Sequence, residues 1–138
     1  MRRPIVSILL GMALFGLAAS AGAEEVKTIQ GEVVDPGLYL REGRHGVAVE
    51  DLMYDAVDGG QTLALLEDGT ETVYVLLAGE AGEDPNELVY EYVGRRVKAT
   101  GMVHERGGLK GIVLTSAEPL EQQPAGETPA EANGVIEE

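Results

Sequence analysis

The sequence predicts a mainly β fold, a five-stranded OB-type barrel, and three stretches carry that reading. Arg95 to Pro119 reads as two long strands joined at Gly107-Gly108. Gln61 to Ala78 reads as a shorter hairpin turning at Asp68-Gly69, and Glu24 to Asp35 as a strand ahead of both. Strand, short strand and helix, hairpin, short helix, then a long terminal hairpin is the order of a barrel with a helix before its fourth strand. A further short helix is expected in the 47–57 region.

The first strand has Val26, Ile29, Val33 and Val34 as apolar positions and Gly31 at its middle. Asp35-Pro36-Gly37 reads as a break. Leu38-Tyr39-Leu40 follows as a short strand, and Arg41 to Gly46 as a polar loop. Val49, Leu52, Met53 and Ala56 recur at helical spacing with Glu50, Asp51, Tyr54 and Asp55 opposite, so a short amphipathic helix is expected, ended by Asp58-Gly59-Gly60.

Gln61 to Leu66 and Thr72 to Ala78 form the next strand pair around Glu67-Asp68-Gly69-Thr70, because Asp-Gly between apolar runs favours a tight hairpin. Asp84 then reads as an N-cap, with Pro85 at the first helical position and Glu87 placed to reach back. Leu88, Val89, Tyr92 and Val93 are the expected buried stripe of that helix, and Gly94 its stop.

In the terminal hairpin, Val97, Ala99, Gly101 and Val103 alternate with Lys98, Thr100, Met102 and His104, the period of a strand with one buried face. Gly107-Gly108 supplies the positive φ that a tight turn needs. The return run from Leu109 to Ser116 is rich in β-branched residues and ends at Pro119, which cannot donate to a ladder. Gly101 has two readings, a weak spot in the strand or a bulge where a small barrel bends.

The chain has 138 residues, no cysteine and a net charge of −14. Residues 1–23 read as a secretory signal peptide: Arg2-Arg3, an apolar run from Ile5 to Ala19, and Ala21-Gly22-Ala23 as the cleavage site. That run is short of the ~20 residues of a membrane span. Residues 24–120 are the single OB-fold domain, in the periplasm or secreted. Without disulfides it relies on its hydrophobic core. That core is aliphatic, since the only aromatics past residue 23 are Tyr39, Tyr54, Tyr74, Tyr90 and Tyr92. Residues 121–138 carry five glutamates and no basic residue, and read as a disordered acidic tail.

Four stretches carry a narrower resemblance: GEVVDPGLYL (Gly31 to Leu40), GGQTLALLEDG (Gly59 to Gly69), YVG (Tyr92 to Gly94) and RRVKATGMVHERGGLKGIVLTSAEPLE (Arg95 to Glu121). In these the chain resembles small exported bacterial OB-fold proteins. Members of that group often carry a cysteine before the tyrosine of the first motif and a C-A-x-x-C on the next helix, a set that implies a metal or redox site. The matching positions here are Leu38, Leu52 and Ala56. None offers a thiolate, so the resemblance implies a fold and not that chemistry.

An oligonucleotide ligand needs a basic groove and aromatic platforms. Tyr74 is the one aromatic on the central hairpin, and between His45 and Gly94 there are 12 acids and no Lys or Arg. Repulsion of phosphate argues against nucleic acid. Arg95, Arg96, Lys98, Arg106 and Lys110 gather on the last hairpin, either as a solvated face offsetting nearby acids or as a surface for an anionic ligand or partner. With Tyr74 they are the candidate binding residues.

His45 and His104, the only histidines, lack a spaced third ligand for zinc. Glu67, Asp68 and Glu71, and Glu80, Glu83 and Asp84, offer carboxylates but no Ca²⁺-loop spacing, and turn and capping roles account for Asp68 and Asp84. Ser116 is the one serine past residue 23 and has no nucleophile motif around it. No catalytic residue, metal site or cofactor is therefore assigned.

The function expected is that of an exported binding module without catalytic activity, in a protein–protein or envelope-assembly role at the face near Tyr74 or the basic hairpin. The alternative is a small-ligand or divalent-cation-binding periplasmic protein, in a stress-related role, using the 80–87 acids or the two histidines brought together. A third class is a metal or redox scaffold that has lost its cysteines. Partners are expected in the cell envelope, with no nucleic acid and no stable membrane insertion.

Overall fold

The computed structural model describes residues 23–120. The signal peptide expected up to the cleavage site and the acidic tail of 121–138 lie outside the described residues. Strands β1 (Ala23–Val34), β2 (Ala64–Glu67), β3 (Val73–Leu76), β4 (Arg96–Arg106) and β5 (Leu109–Pro119) close into a barrel in the order β1-β2-β3-β5-β4. Every neighbouring pair is antiparallel except β3 and β5, which run parallel where they close the barrel. The protein is mainly β, with the OB-type barrel that the order of its elements predicts.

The alternation read from β4 holds along the strand. Val97, Ala99, Gly101 and Val103 are buried, and Lys98, Thr100, Met102 and His104 are not. Gly107 and Gly108 both have positive φ at the hairpin turn. The two readings of Gly101 resolve to a bulge. Thr100 faces Ser116 while Gly101 faces Leu114, so Thr115 is an extra residue in β5. A side chain at Gly101 would collide with the carbonyl oxygen of Val113, so the backbones approach there as only glycine allows. The barrel interior holds Ile29, Val33, Leu65, Leu76, Val97 and Ile112, and Met53 closes it from outside the sheet.

Three local expectations are corrected. Asp35-Pro36-Gly37 does not break the chain into a short strand; it opens helix α1 (Pro36–Glu42). Asp35 is the N-cap: its carboxylate accepts from the backbone N–H of Gly37 and Leu38, at 3.2 and 3.0 Å. Gly43, at φ 68°, ends the helix by donating its N–H to the Tyr39 carbonyl.

The second correction concerns helix α2 (Glu50–Asp58), which follows a single 3-10 turn at Val47–Val49 as the 47–57 expectation requires. Its buried side is turned from the expected one. Val49 and Met53 are buried and Tyr54 and Val57 pack on the core, whereas Leu52 stays exposed.

Third, the segment from Asp84 to Tyr92 is not an α-helix. It runs as tight turns, with Glu87 N–H bonded to the Asp84 carbonyl and Val89 N–H to that of Asn86, and ends in a 3-10 turn at Tyr90–Tyr92. Val89 and Val93 are buried as expected, but Leu88 is exposed. Asn86 explains the path. Its side chain is buried, accepts from the Leu63 N–H at 2.8 Å and donates to the Gln61 carbonyl at 3.3 Å. It thereby pairs the Leu63 N–H just ahead of β2, while Leu76 of β3 bonds the Leu63 carbonyl on the other side. That demand fixes Asn86 facing the barrel wall and overrides the local helical preference.

Candidate functional site

The strongest surface feature grows from the outward-facing half of the strands. The positions of β4 that alternate with its core residues include Met102, which stands between Val26 of β1 and Val113 of β5 in register. Val26 is 65% exposed. One strand further, Leu77 donates its N–H to the Ile112 carbonyl as the chain leaves β3, and its side chain lies over Gly111. A Cβ at Gly111 would come within 2.6 Å of Leu77 Cδ1, so the glycine makes room for that leucine.

Beside this apolar row a groove of roughly 360 Å³ opens towards the β4–β5 turn. Val75, Leu77 and Leu109 line it, together with His104, Arg106 and Lys110 and the acids Glu24 and Glu105. Leu109 is 68% exposed. Apolar side chains joined across four strands make a larger feature than the scattered leucines of an ordinary surface.

The candidate binding residues fall into two groups. Arg95 pairs with Glu50 at 3.5 Å and Arg96 with Asp68, both at the start of β4. Lys98 lies on the same end, exposed and, among the described residues, without an ion pair. Arg106 and Lys110 flank the turn at the other end of the hairpin, and ten residues of strand put ~33 Å between Arg96 and Arg106. The five basic side chains are therefore not one patch. Lys110 Nζ lies 3.7 Å from Glu105 and 6.0 Å from the Tyr74 ring centroid. Arg106 makes no ion pair among the described residues.

Tyr74 is corrected as a surface residue: it is 2% exposed, one of the largest side chains of the core, and presents no face to a ligand. The two histidines are not brought together either. His45 bonds Glu32 at 2.9 Å and stacks edge-on against Tyr39, while His104 lies 3.6 Å from Glu24. Glu24 and Glu32 sit eight residues apart on β1, ~26 Å.

The candidate acids serve local structure. Glu67 accepts from the Thr70 hydroxyl, Asp68 holds Arg96, and Glu71 adopts φ 57° in the hairpin turn. Glu83 accepts from the N–H groups of Gly79 and Glu80, and Asp84 from that of Asn86. Among the described residues no three His, Asp or Glu side chains gather as a metal would require.

Among the described residues three groups titrate away from their ordinary values. The Asp68 carboxylate, as hydrogen-bond partner, raises the Arg96 guanidinium. Burial, then the charge of Glu50, raises the Tyr54 phenol above 10.0. The hydrogen bond to Asp58, 2.9 Å long, does the same for Tyr90. None of the three lies at the groove.

Val26, Val75, Leu77, Met102 and Leu109 were not singled out by sequence reasoning. A signal was present: Val73 to Leu77 is an unbroken apolar run, and a strand apolar on both faces has something to cover on each. Among the described residues no helix is long and apolar enough to cross a membrane. In comparison with known proteins, the chain matches no family model, no curated protein and no solved structure.

Proposed function

We propose that this is an exported, non-catalytic OB-fold module that binds a protein partner in the cell envelope, sharing compartment and barrel with the small exported bacterial OB-fold proteins it resembles. One observation carries the reading. The outer apolar row of Val26, Met102, Val113 and Leu77 continues into the groove under Leu109, next to Arg106, a cation without an ion pair among the described residues.

A partner that fits presents an apolar side chain to the groove and a carboxylate to Arg106. Burying the apolar row against it removes surface from water at ~25 cal/mol per Å². The carboxylate adds register and selectivity more than affinity.

The reading is tested with a photo-crosslinking amino acid at Leu109, and at Leu40 as an exposed control on α1. Crosslinking in the cell envelope is expected to give one discrete adduct from position 109, lost in the Arg106→Glu background, and none from position 40. The same adducts from both positions, or an adduct indifferent to Arg106, would defeat the proposal.

A further inference from the structure

A second surface lies where the barrel closes. β3 pairs with β5 only through Val75 with Gly111 and Leu76 with Ile112, and Leu77 adds one bond to the Ile112 carbonyl. The chain then turns away, because the N–H groups of Gly79 and Glu80 are taken by the Glu83 carboxylate. From Val113 onward β5 has β4 on one side and, among the described residues, no strand on the other.

The direction of the backbone groups follows from the register. Leu120 donates its N–H to the Arg96 carbonyl, and Glu118 and Ser116 face Lys98 and Thr100. In an antiparallel ladder alternate residues bond to the same neighbour, so Ala117 and Pro119 turn their groups away from β4, as does Leu114 across the bulge. Pro119 has no N–H to waste and sits in one of these outward positions, as a proline in an edge strand must. Among the described residues no backbone hydrogen bond from another segment reaches this edge.

At the Leu114 end of this edge lies a cleft of roughly 400 Å³, lined by Leu77, Leu88, Val113 and Leu114 and by Glu83 and Glu87. Glu80, Glu83, Asp84 and Glu87 make no ion pair among the described residues.

We infer that the edge of β5 from Leu114 to Pro119 accepts an extended, basic polypeptide segment of a partner, which adds a strand to the barrel. Backbone bonds to Leu114 and Ala117 supply the pairing. Alternate side chains of the segment then fall into the cleft, apolar ones against Leu77 and Leu88 and Lys or Arg against Glu83 and Glu87. Charge selects this occupant. The chain's own segment after Leu120 has five glutamates and no basic residue, and a second copy brings a net charge of −14, so both are repelled from these carboxylates.

The inference shares with the groove proposal the class of partner, a protein, and the side chains of Leu77 and Val113, but it rests on the β5 edge and the cleft acids rather than on the groove under Leu109. It is tested on the full-length chain with a fluorescent octapeptide in which one strand face alternates Val and Lys and the other carries serines, its Val-Glu counterpart, and a Val-Lys peptide with prolines in place of alternate serines. Anisotropy is read at ~0.15 M salt, where exposed charges alone are screened beyond ~8 Å. Saturable binding of the Val-Lys peptide is expected, with none of the other two. Ala117→Pro removes an outward N–H without touching the β4 ladder and is expected to weaken binding about tenfold, the worth of a good hydrogen bond.

Glu83→Gln with Glu87→Gln keeps the Glu83 backbone contacts sterically possible and is expected to weaken binding several-fold. Leu109→Asp, which disables the groove, is expected to leave peptide affinity unchanged, so the two proposals fail separately. Absence of saturable binding, equal binding of the proline peptide, or full affinity in a folded Ala117→Pro variant would each overturn the inference.

Discussion

Two segments of this protein open on the same pair of residues and end differently. Asp35-Pro36 leads into a capped helix, and Asp84-Pro85 into a run of tight turns. Local sequence favours the reverse, since Gly37 follows the first pair and a capping-box glutamate the second. The difference is what the third residue must do. Gly37 asks nothing of the barrel, so Asp35 caps freely and Leu38 is carried to the core. Asn86 is the acceptor for the Leu63 N–H, and satisfying a buried N–H outweighs the tenths of a kcal/mol in helix propensity. A cap is a local instruction, and a buried hydrogen bond is a tertiary one.

The sharpest way to break this contrast is Asn86→Ala. It strands the Leu63 N–H in the wall of the barrel and is expected to cost about 1–3 kcal/mol, read in urea unfolding. A loss no greater than that of an exposed substitution would mean the turn path has another cause. Next comes Asp35→Ala, which frees two N–H groups at the start of α1 and is expected to cost about 1 kcal/mol in the same assay.

Asp84→Ala should cost less than Asp35→Ala, because its carboxylate serves a single N–H in a turn already held by Asn86. Equal losses at the two aspartates would erase the distinction. The smallest effect is on pH dependence. Tyr90, at the end of the second segment, meets Tyr54 of α2 edge-on at 5.1 Å. Both phenols are raised in the folded state, so the folded chain holds protons that the unfolded chain has released. That stabilisation is complete below the unfolded value near 10 and is lost as pH rises through the folded values. Between about pH 9 and about pH 11 the melting midpoint should fall further for the wild type than for a Tyr54→Phe/Tyr90→Phe variant.

Much of the barrel was legible because period-two alternation and glycine turns are short-range signals. Val97 to Val103 and Gly107-Gly108 needed no knowledge of the rest of the chain. The helices were harder. Leu52 sits on the apolar stripe by spacing, yet the barrel is met by Met53, Tyr54 and Val57, a choice made by how α2 docks.

The candidate site was half legible. Arg106 and Lys110 were named, but grouped with Arg95, Arg96 and Lys98, because one sequence stretch conceals the length of a strand. Tyr74 was misplaced for the opposite reason. Its register with Leu65 turns it inward, while Val75, its apolar neighbour, reaches the surface.

The closing seam between β3 and β5 has a consequence for how the molecule breathes. β1 to β4 and β4 to β5 are laddered along their lengths, whereas the seam rests on Val75–Gly111, Leu76–Ile112 and the Leu77 amide. Deuterium should therefore replace the amide proton of Leu77 through a partial opening, while those of Leu76, which donates to Leu63 on the other side, and of Ile29 and Ala99 are held by the rest of the barrel. The barrel parts along one line, as a cuff does at its button.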